Sequence, residues 1–458
     1  GGAGLDITEV FSTYLYTGTG QSQAIVNGTD LDGEGGLVWL KRRDGAEAHY
    51  LYDTERGTSN GLFSNQTNAN TSISNAVTSF NTNGFTLGTY DSVNSQDGHD
   101  YVSWSFRKAP KFFDIVTYTG NGVAGRTISH DLGTTVGMLV VKSTSHATSW
   151  KVQHRSTGAT NALELDDTRA ADDVDDAFWN DTAASSTVFT VGDSSATNQS
   201  SRTYVAYLFA HNNGDGTFGP DGDQDIIKCG SYTGSGADQN IDLGFEPQFL
   251  LIKNATDAAD WYILDTMRGF TATSLANYMA QPNNSNAVSK VGNVVYDIFL
   301  NSTGFNVKAN ASQFNTNNKQ YIYMAIRRGP LATPEAGTEV FAMDTLGGTS
   351  PNPPDFYSGW PVDMSMFRRR SQTANWATTD RLRGQFSELR TNSTEAEQSR
   401  SQSVGYDQMT GYFDDSNVVS DIVSWMWKRA PGYFDAVAYS GTGANRTVSH
   451  NVLGVAPE

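Results

Sequence analysis

The feature that most constrains this chain is a short turn sequence that returns along its length. A tyrosine followed by a turn rich in Gly, Ser and Thr recurs at roughly hundred-residue spacing, with one interval of about twice that length. The four copies are Tyr16-Thr-Gly-Thr-Gly20, Tyr118-Thr-Gly-Asn-Gly122, Tyr232-Thr-Gly-Ser-Gly236 and Tyr439-Ser-Gly-Thr-Gly443. Self-similarity at a fixed period indicates an array of like modules. We therefore expect function to depend on multivalency rather than on one catalytic cleft.

A second recurring sequence predicts a hairpin in each module. Asp-x-x-Arg-Gly occurs at Asp53, Asp265 and Asp380, and His154 takes the place of the Asp in the second copy. An Asp carboxylate can accept turn amides and pair with an Arg three residues later, and the Gly allows a positive φ. We interpret this group as a structural turn. The alternative is that the Asp and the Arg contact a ligand.

Two further strand patterns complete each module. A feeder strand is predicted at Gly84–Leu87, Val188–Val191 and Gly304–Val307, and closing strands are predicted to begin at Tyr101, Tyr204, Tyr321 and Ile422. Three closing strands run into a basic pair and then Pro110, Pro330 or Pro431. Because proline cannot donate to a β-ladder, these strands should end before it. We expect the basic pairs at a solvated rim, or alternatively against an anionic glycan or a neighbouring subunit.

Short strands separated by turn signals predict an all-β fold, a tandem array of about four β-sandwich or jelly-roll modules. The best helical candidate is the stretch 170–179. We name module 1 (5–110), module 2 (111–212), module 3 (225–330) and the divergent module 4 (339–431), with linkers at 213–224 and 331–338 and the opening of a fifth module at 432–458. We expect the fifth module to be completed by a longer natural polypeptide or by a neighbouring chain.

Composition excludes several classes of function. The 458 residues carry a formal net charge of −18, so the basic footprint of a nucleic-acid-binding protein is missing. No apolar run approaches the roughly 20 residues of a membrane span, so membrane insertion is not expected. The single cysteine, Cys229, lies in an apolar strand-like run, and we interpret it as a buried inert thiol.

The sequence offers few candidate binding residues. Paired carboxylates, zinc spacing, a nucleophile elbow, a P-loop and a dinucleotide fingerprint are all missing, so we predict no catalytic residue and no cofactor. The acidic residues Asp221, Asp223 and Asp225 invite a calcium site, but they lack the Gly and Glu of an EF-hand loop, and a solvated linker is the alternative. The turn tyrosines Tyr16, Tyr118, Tyr232 and Tyr439 are candidates for stacking on sugar rings, with corner packing as the alternative.

The repeat phrases resemble a known sequence family. Residues 113–130, 226–236, 261–269 and the terminal stretch 449–458 are similar to an uncharacterised tandem repeat found in virion and tail-fibre-type proteins of marine bacteriophages. The resemblance covers nearly the whole chain and is weakest in module 4. It implies lectin-like, concanavalin A-like sandwiches and a structural role in the virion, and it carries no catalytic residue.

Three functions follow as hypotheses. The first is a non-enzymatic virion protein of a tail fibre or similar appendage, a multivalent rod that contacts other virion proteins, copies of itself and host-surface polysaccharide. Such a protein would be made in the host cytoplasm and act on the extracellular virion as a homo-oligomer. The second is a carbohydrate-binding adhesin of a bacterial surface, and the third is a glycan depolymerase with an active site between subunits.

Overall fold

Antiparallel β-sheets dominate the protein. A computed structural model describes residues 4–173, 176–273, 278–290, 298–309, 311–345, 354–400, 404–414, 421–439, 441–450 and 453–457. Within these ranges the helices are short turns, namely α1 (Ile7–Val10), α2 (Asp91–Asn94), α3 (Ser312–Asn315) and the 3₁₀ turns Thr266–Arg268 and Gly337–Glu339. None of the described helices has the length and apolar character needed to cross a bilayer. The predicted all-β class is confirmed.

The first two modules contain the first seventeen strands. In module 1 these are β1 (Phe11–Thr17), β2 (Gln23–Val26), β3 (Gly36–Arg42), β4 (Tyr50–Asp53), β5 (Asn60–Phe63), β6 (Thr71–Ser72), β7 (Val77–Asn81), β8 (Gly84–Leu87) and β9 (Asp100–Arg107). In module 2 they are β10 (Phe113–Thr119), β11 (Arg126–Ser129), β12 (Val136–Ser143), β13 (Lys151–His154), β14 (Asn161–Glu164), β15 (Asp172–Asp173), β16 (Val188–Val191) and β17 (Thr203–Ala210).

Modules 3 and 4 contain the remaining described strands. In module 3 these are β18 (Ile227–Thr233), β19 (Gln239–Asp242), β20 (Pro247–Asn254), β21 (Trp261–Asp265), β22 (Tyr278–Met279), β23 (Ser289–Lys290), β24 (Ile298–Asn301), β25 (Gly304–Val307) and β26 (Gln320–Arg327). In module 4 they are β27 (Phe341–Thr345), β28 (Phe356–Tyr357), β29 (Met364–Arg369), β30 (Ala377–Asp380), β31 (Ser387–Arg390), β32 (Gln398–Ser399), β33 (Val404–Gly405), β34 (Gly411–Asp414) and β35 (Ile422–Trp427).

One strand order recurs in the large sheets. The opening strand pairs with the closing strand, which pairs with the strand before the hairpin, as in β1-β9-β3-β4-β5-β6. The same order appears in β10-β17-β12-β13-β14-β15, β18-β26-β20-β21 and β27-β35-β29-β30-β31-β32. A smaller sheet accompanies each: β2-β8-β7, β11-β16, β19-β25-β24 and β28-β34-β33. The recurring order agrees with the sequence repeat, while the module boundaries themselves stay a prediction.

Several predicted local features are confirmed. The feeder strands begin and end at the predicted residues, and the closing strands β9, β26 and β35 end before their prolines. The helical candidate at 170–179 is wrong in its described part, because Asp172 and Asp173 form a short edge strand against Ala162 and Asn161. Cys229 is fully buried, as expected for a structural thiol, and burial raises its pKa well above the usual value.

Within modules 1, 3 and 4, the two sheets enclose a hydrophobic core of their own. In module 1 the inner face of the large sheet, including Val38 and Tyr52, packs on Ile25 and Phe85 of the small sheet. Corresponding cores lie between the two sheets of module 3 and of module 4. Because side chains alternate between the two faces of a strand, each large sheet has a second face that must be covered separately.

In modules 1, 2 and 3 the second faces cover one another. The ring of Phe106 in module 1 contacts Phe209 of module 2 and Phe249 of module 3. The ring centroids are 5.4 Å apart for the first pair and 6.1 Å apart for the second. The three modules thus share one continuous core. An extended array would bring only sequence neighbours together, whereas here module 1 also contacts module 3. We call this closed unit the three-module ring.

The linkers are tied to this ring. Most residues of the linker 213–224 are exposed, as expected for a solvated segment, but Phe218 is only 2% exposed and belongs to the shared core. Leu331, in the linker 331–338, is also buried in that core, and its backbone amide donates to Asp6 Oδ2 at 2.6 Å. Asp6 additionally caps α1 in a capping box with Glu9. Both connections therefore pack next to the amino-terminal segment.

Candidate functional site

The turn tyrosines of the first three modules are packing residues. Tyr16, Tyr118 and Tyr232 are 7%, 9% and 8% exposed, and each stacks on the first tyrosine of the closing strand with centroids 5.1 to 5.2 Å apart. Their hydroxyls donate to the backbone carbonyls of Val93, Thr197 and Phe314. Burial raises the pKa of all three phenols well above the usual value. The hypothesis that these three rings stack on sugars is wrong, since they cannot present a face to a ligand.

A buried asparagine holds each of these turns, and the sequence analysis missed it. The side-chain carbonyl of Asn94 accepts the Thr19 amide, and its amide group donates to the carbonyls of Gln21 and Gly88. Asn198 and Asn315 make the same three kinds of contact in modules 2 and 3. Their position six or seven residues before the closing tyrosine was the available signal.

The Asp-x-x-Arg-Gly sequences form the predicted turns. Asp265 Oδ1 accepts the Arg268 amide at 2.8 Å while Oδ2 accepts its Nε at 2.6 Å, and Gly269 has a φ of 99°. The same double contact joins Asp53 to Arg56 and Asp380 to Arg383. The structural interpretation is confirmed, because the carboxylates and guanidinium groups satisfy one another inside the turn.

The hairpins have a second role that the sequence did not reveal. In the three-module ring, each closing strand contacts the first residue of the hairpin turn of another module, through a side chain in two cases and a backbone carbonyl in the third. Trp104 Nε1 donates to Asp265 Oδ2 at 3.0 Å, and Tyr207 Oη donates to Asp53 Oδ2 at 2.6 Å. His154 Nε2 lies 3.1 Å from the carbonyl oxygen of Tyr323. These contacts join module 1 to 3, module 2 to 1 and module 3 to 2, so they close the ring.

Three lysines reinforce the same junctions. The ammonium groups of Lys41, Lys142 and Lys253 donate to backbone carbonyls of a neighbouring module at 3.0 to 3.3 Å, the acceptors being Ser285, Thr67 and Thr168. Burial lowers the pKa of each lysine to about 8. Trp150 and Trp261 add indole hydrogen bonds to the carbonyls of Phe63 and Glu164. These lysines, each the penultimate residue of β3, β12 or β20, are therefore junction residues.

A cluster of buried charges joins module 3 to module 4. Arg429 makes a two-point contact with Glu246 at 2.7 and 2.8 Å, and Arg328 lies 2.7 Å from Asp363. Arg429 is only 3% exposed, so the expectation that its basic pair lies at a solvated rim is wrong. Arg107 is likewise buried. Direct contacts with carboxylates offset the free-energy cost of burying these cations.

The calcium candidate does not form a ligand cluster. Asp225 accepts the amides of Gly214 and Gly216, which fixes its carboxylate in the loop, while Asp221 and Asp223 are exposed. Across the described part of the chain, no group of three His, Cys, Asp or Glu side chains could hold a metal ion. The geometry thus offers no set of carboxylates to support the calcium hypothesis at these residues.

Tyr439 differs from the other turn tyrosines. It is 65% exposed, and the guanidinium of Arg446 lies 5.7 Å from the centre of its ring. Together with residues 437–438 and 446–449 it borders a groove of about 590 Å³ against the small sheet of module 3. The polar side chains on the module 3 side include Asp238, Gln239, Asn240, Asn301, Asn306 and Lys308. An exposed aromatic ring beside amides and charged groups is a candidate binding site for a polyhydroxylated ligand.

The fold and these contacts define the class of the protein as an all-β protein built from repeated antiparallel sheets. The chain belongs to the DUF7483 family, described as a domain of unknown function, whose sequence pattern matches residues 6–330. That span coincides with the three modules that share the central core and ends before module 4. No curated protein and no solved structure matches the chain.

Proposed function

We propose that this chain is a non-enzymatic structural protein of a bacteriophage virion, in a tail fibre or a similar appendage. The observation that carries the structural part is the closed ring, in which the recurring Tyr, Trp, Lys and Asp side chains bind other parts of the same chain. Recurring side chains that bind other parts of the same chain, rather than a ligand, are typical of a scaffold protein. The assignment to a virion rests on the resemblance of the repeat phrases to phage proteins.

Labelling of native particles tests this proposal. Antibodies raised against the purified chain, coupled to gold, should decorate an appendage of intact virions from the source culture. Labelling of the bacterial envelope in uninfected cells would contradict the proposal and favour the adhesin. Release of reducing ends from host polysaccharide by the purified chain would contradict the non-enzymatic assignment and favour the depolymerase.

A second function, attachment to surface glycans, is favoured by the groove beside Tyr439. Its exposed ring and its polar border suit a sugar, which offers an apolar ring face and hydroxyl groups together. We expect Tyr439→Ala to weaken binding to immobilised host polysaccharide about tenfold, which corresponds to about 1.4 kcal/mol. The matched control is Tyr357→Ala, since Tyr357 is 61% exposed in module 4. Equal binding by both variants and the unmodified chain would exclude this groove.

A further inference from the structure

The large sheet of module 4 leaves one of its faces open. Pairing across β27, β35 and β29 places one row of residues on this face, which we call the open face: Phe341, Met343, Met364, Met366, Val423, Trp425 and Trp427. Met343 is 65% exposed and the other six are partly exposed. The opposite face is buried in the core of module 4. A contiguous row of Met, Trp and Phe on a solvated sheet face marks an interaction surface.

The three-module ring shows what covers this face elsewhere in the chain. Opposite the closing strand, Met343 stands where Thr13, Ile115 and Cys229 stand in modules 1 to 3, and these are 6%, 2% and 0% exposed. Trp425 likewise stands where Trp104, Tyr207 and Met324 stand, all of them buried. In each of the first three modules, the other two modules cover this position. Module 4 retains large apolar residues there, although no further module covers them among the described residues.

The polar groups around the open face are also those of a ring junction. Trp425 occupies the position of Trp104, and Asp380 occupies the position of Asp265, which is the acceptor of Trp104 in the ring. Trp376 occupies the position of Trp150 and Trp261, the indole donors of two junctions. Arg368 occupies the position of the three junction lysines, and its buried Nε has no hydrogen-bond partner among the residues that the structure describes. Module 4 therefore carries both the donors and the acceptor of a junction.

We propose that three copies of this chain associate through the open face around a threefold axis. Trp425 of each copy donates to Asp380 of the next copy, and Trp376 donates to the carbonyl of Arg390, the counterpart of Phe63 and Glu164. In the three-module ring, module 1 gives its indole donor to Asp265 of module 3 and accepts Tyr207 of module 2 at Asp53, so the two halves of its junction face different neighbours. A copy of this arrangement between chains is heterologous and closes as a ring. Closure at three follows from the three modules that these junctions unite within one chain. The trimer would be the assembled form of the proposed structural protein, and its location in an appendage rests on that proposed function.

Sedimentation equilibrium of the full chain tests this proposal. We expect a species of three times the 49.6-kDa chain mass. A monomer at chain concentrations up to about 100 µM would overturn the proposal, since association weaker than that is below about 5 kcal/mol. A stable dimer would overturn it as well, because a twofold contact gives both halves of the junction to one partner, whereas in the ring they face two different neighbours.

Two substitutions connect the assembly to the open face. Met343→Lys introduces a charge at a solvated position of the monomer, and it should convert the trimer to monomer while the far-UV circular dichroism stays unchanged. The control is Val123→Lys, because Val123 is 60% exposed on module 2 and outside the open face; this variant should remain a trimer. A trimer that survives Met343→Lys, or one that Val123→Lys also dissociates, would contradict the assignment of the surface.

Trp425→Phe tests the polar junction separately. The ring remains aromatic but the indole donor is lost, so the dissociation constant of the trimer should rise at least about tenfold. Unchanged association would show that Asp380 is not the acceptor. These results are independent of particle labelling: a monomeric chain can still decorate an appendage, and a trimeric chain can still be missing from one.

Discussion

The three-module ring and module 4 use the same sheet in two different surroundings. In the ring, β12 is buried along its whole length, because small-sheet residues cover one face and the other modules cover the second. In module 4, β35 alternates between buried and partly exposed residues, the pattern of a sheet covered on one side. Both strands are nevertheless apolar on both faces. The repeat sequence thus places apolar residues on both faces of the sheet. Whether the second face is buried depends on the other modules that pack against it.

The largest expected effect compares two equivalent tryptophans. Trp104→Ala should destabilise the chain by about 3–5 kcal/mol, because it leaves a cavity in the shared core and removes the donor to Asp265. Trp425→Ala should destabilise the dilute monomer by about 1 kcal/mol, since Trp425 is partly exposed and stacks only on Trp376 across the open face. Urea unfolding of both variants checks the pair. Equal losses would contradict the distinction between a filled and an open face.

The second comparison concerns the hairpin carboxylates. Asp265→Asn should cost about 3 kcal/mol, since Arg268 has a fully buried side chain and would lose its anionic partner. Asp380→Asn should cost about 1 kcal/mol, because Arg383 is partly solvated and keeps Glu397 at 3.1 Å. Thermal unfolding of the two variants measures the difference. A larger loss for Asp380→Asn would place the more critical hairpin in module 4.

The last comparison concerns how the stability of the ring depends on pH. Lys41, Lys142 and Lys253 have pKa values of about 8 in the folded ring, below the ordinary value of 10.5. Between these values the unfolded chain binds more protons, so stability should rise with pH from about 8 to 9.5, by up to about 1.4 kcal/mol per pH unit for each lysine. Above its ordinary pKa of 9, Cys229 acts in the opposite sense and reduces the slope.

The control for this pH dependence removes one junction amine. Lys142→Met should lower the slope of unfolding free energy against pH by about a third, because each of the three lysines contributes similarly. In module 4 an arginine, Arg368, stands at the corresponding position. Urea titrations at intervals between about pH 7.5 and 9.5 measure the slope for the unmodified chain and for Lys142→Met. An unchanged slope in Lys142→Met would show that the lysines stay protonated in the folded ring.

Local structure could be predicted from the sequence wherever a short pattern determines a short contact. The feeder strands, the proline stops and the Asp–Arg turns followed from residues at most four positions apart. Tyr439 is exposed and stays a candidate, and its ligand stays a prediction. Local patterns were insufficient for Tyr16, whose exposure depends on how Tyr101 and Asn94 pack around it.

The arrangement of the modules could not be predicted in the same way. A period of about 100 residues shows that like units exist, but it does not say which faces meet. The signal for ring closure lay in pairs such as Trp104 with Asp265, which are 161 positions apart and look like unrelated parts of two repeats. The same limitation applies to Arg429, whose partner Glu246 is 183 positions away. Contacts between residues so far apart in sequence can be identified only once the three-dimensional fold is known.

The covalent continuity of modules 1 to 3 has a consequence for dilution. Because one polypeptide holds all three, each sheet meets its neighbours at an effective concentration set by the short linkers rather than by the amount of protein. The ring therefore persists at any concentration, whereas an association through module 4 follows mass action. In the proposed trimer a single chain would combine a permanent junction with a reversible one, and the supply of newly made copies would determine when the second forms.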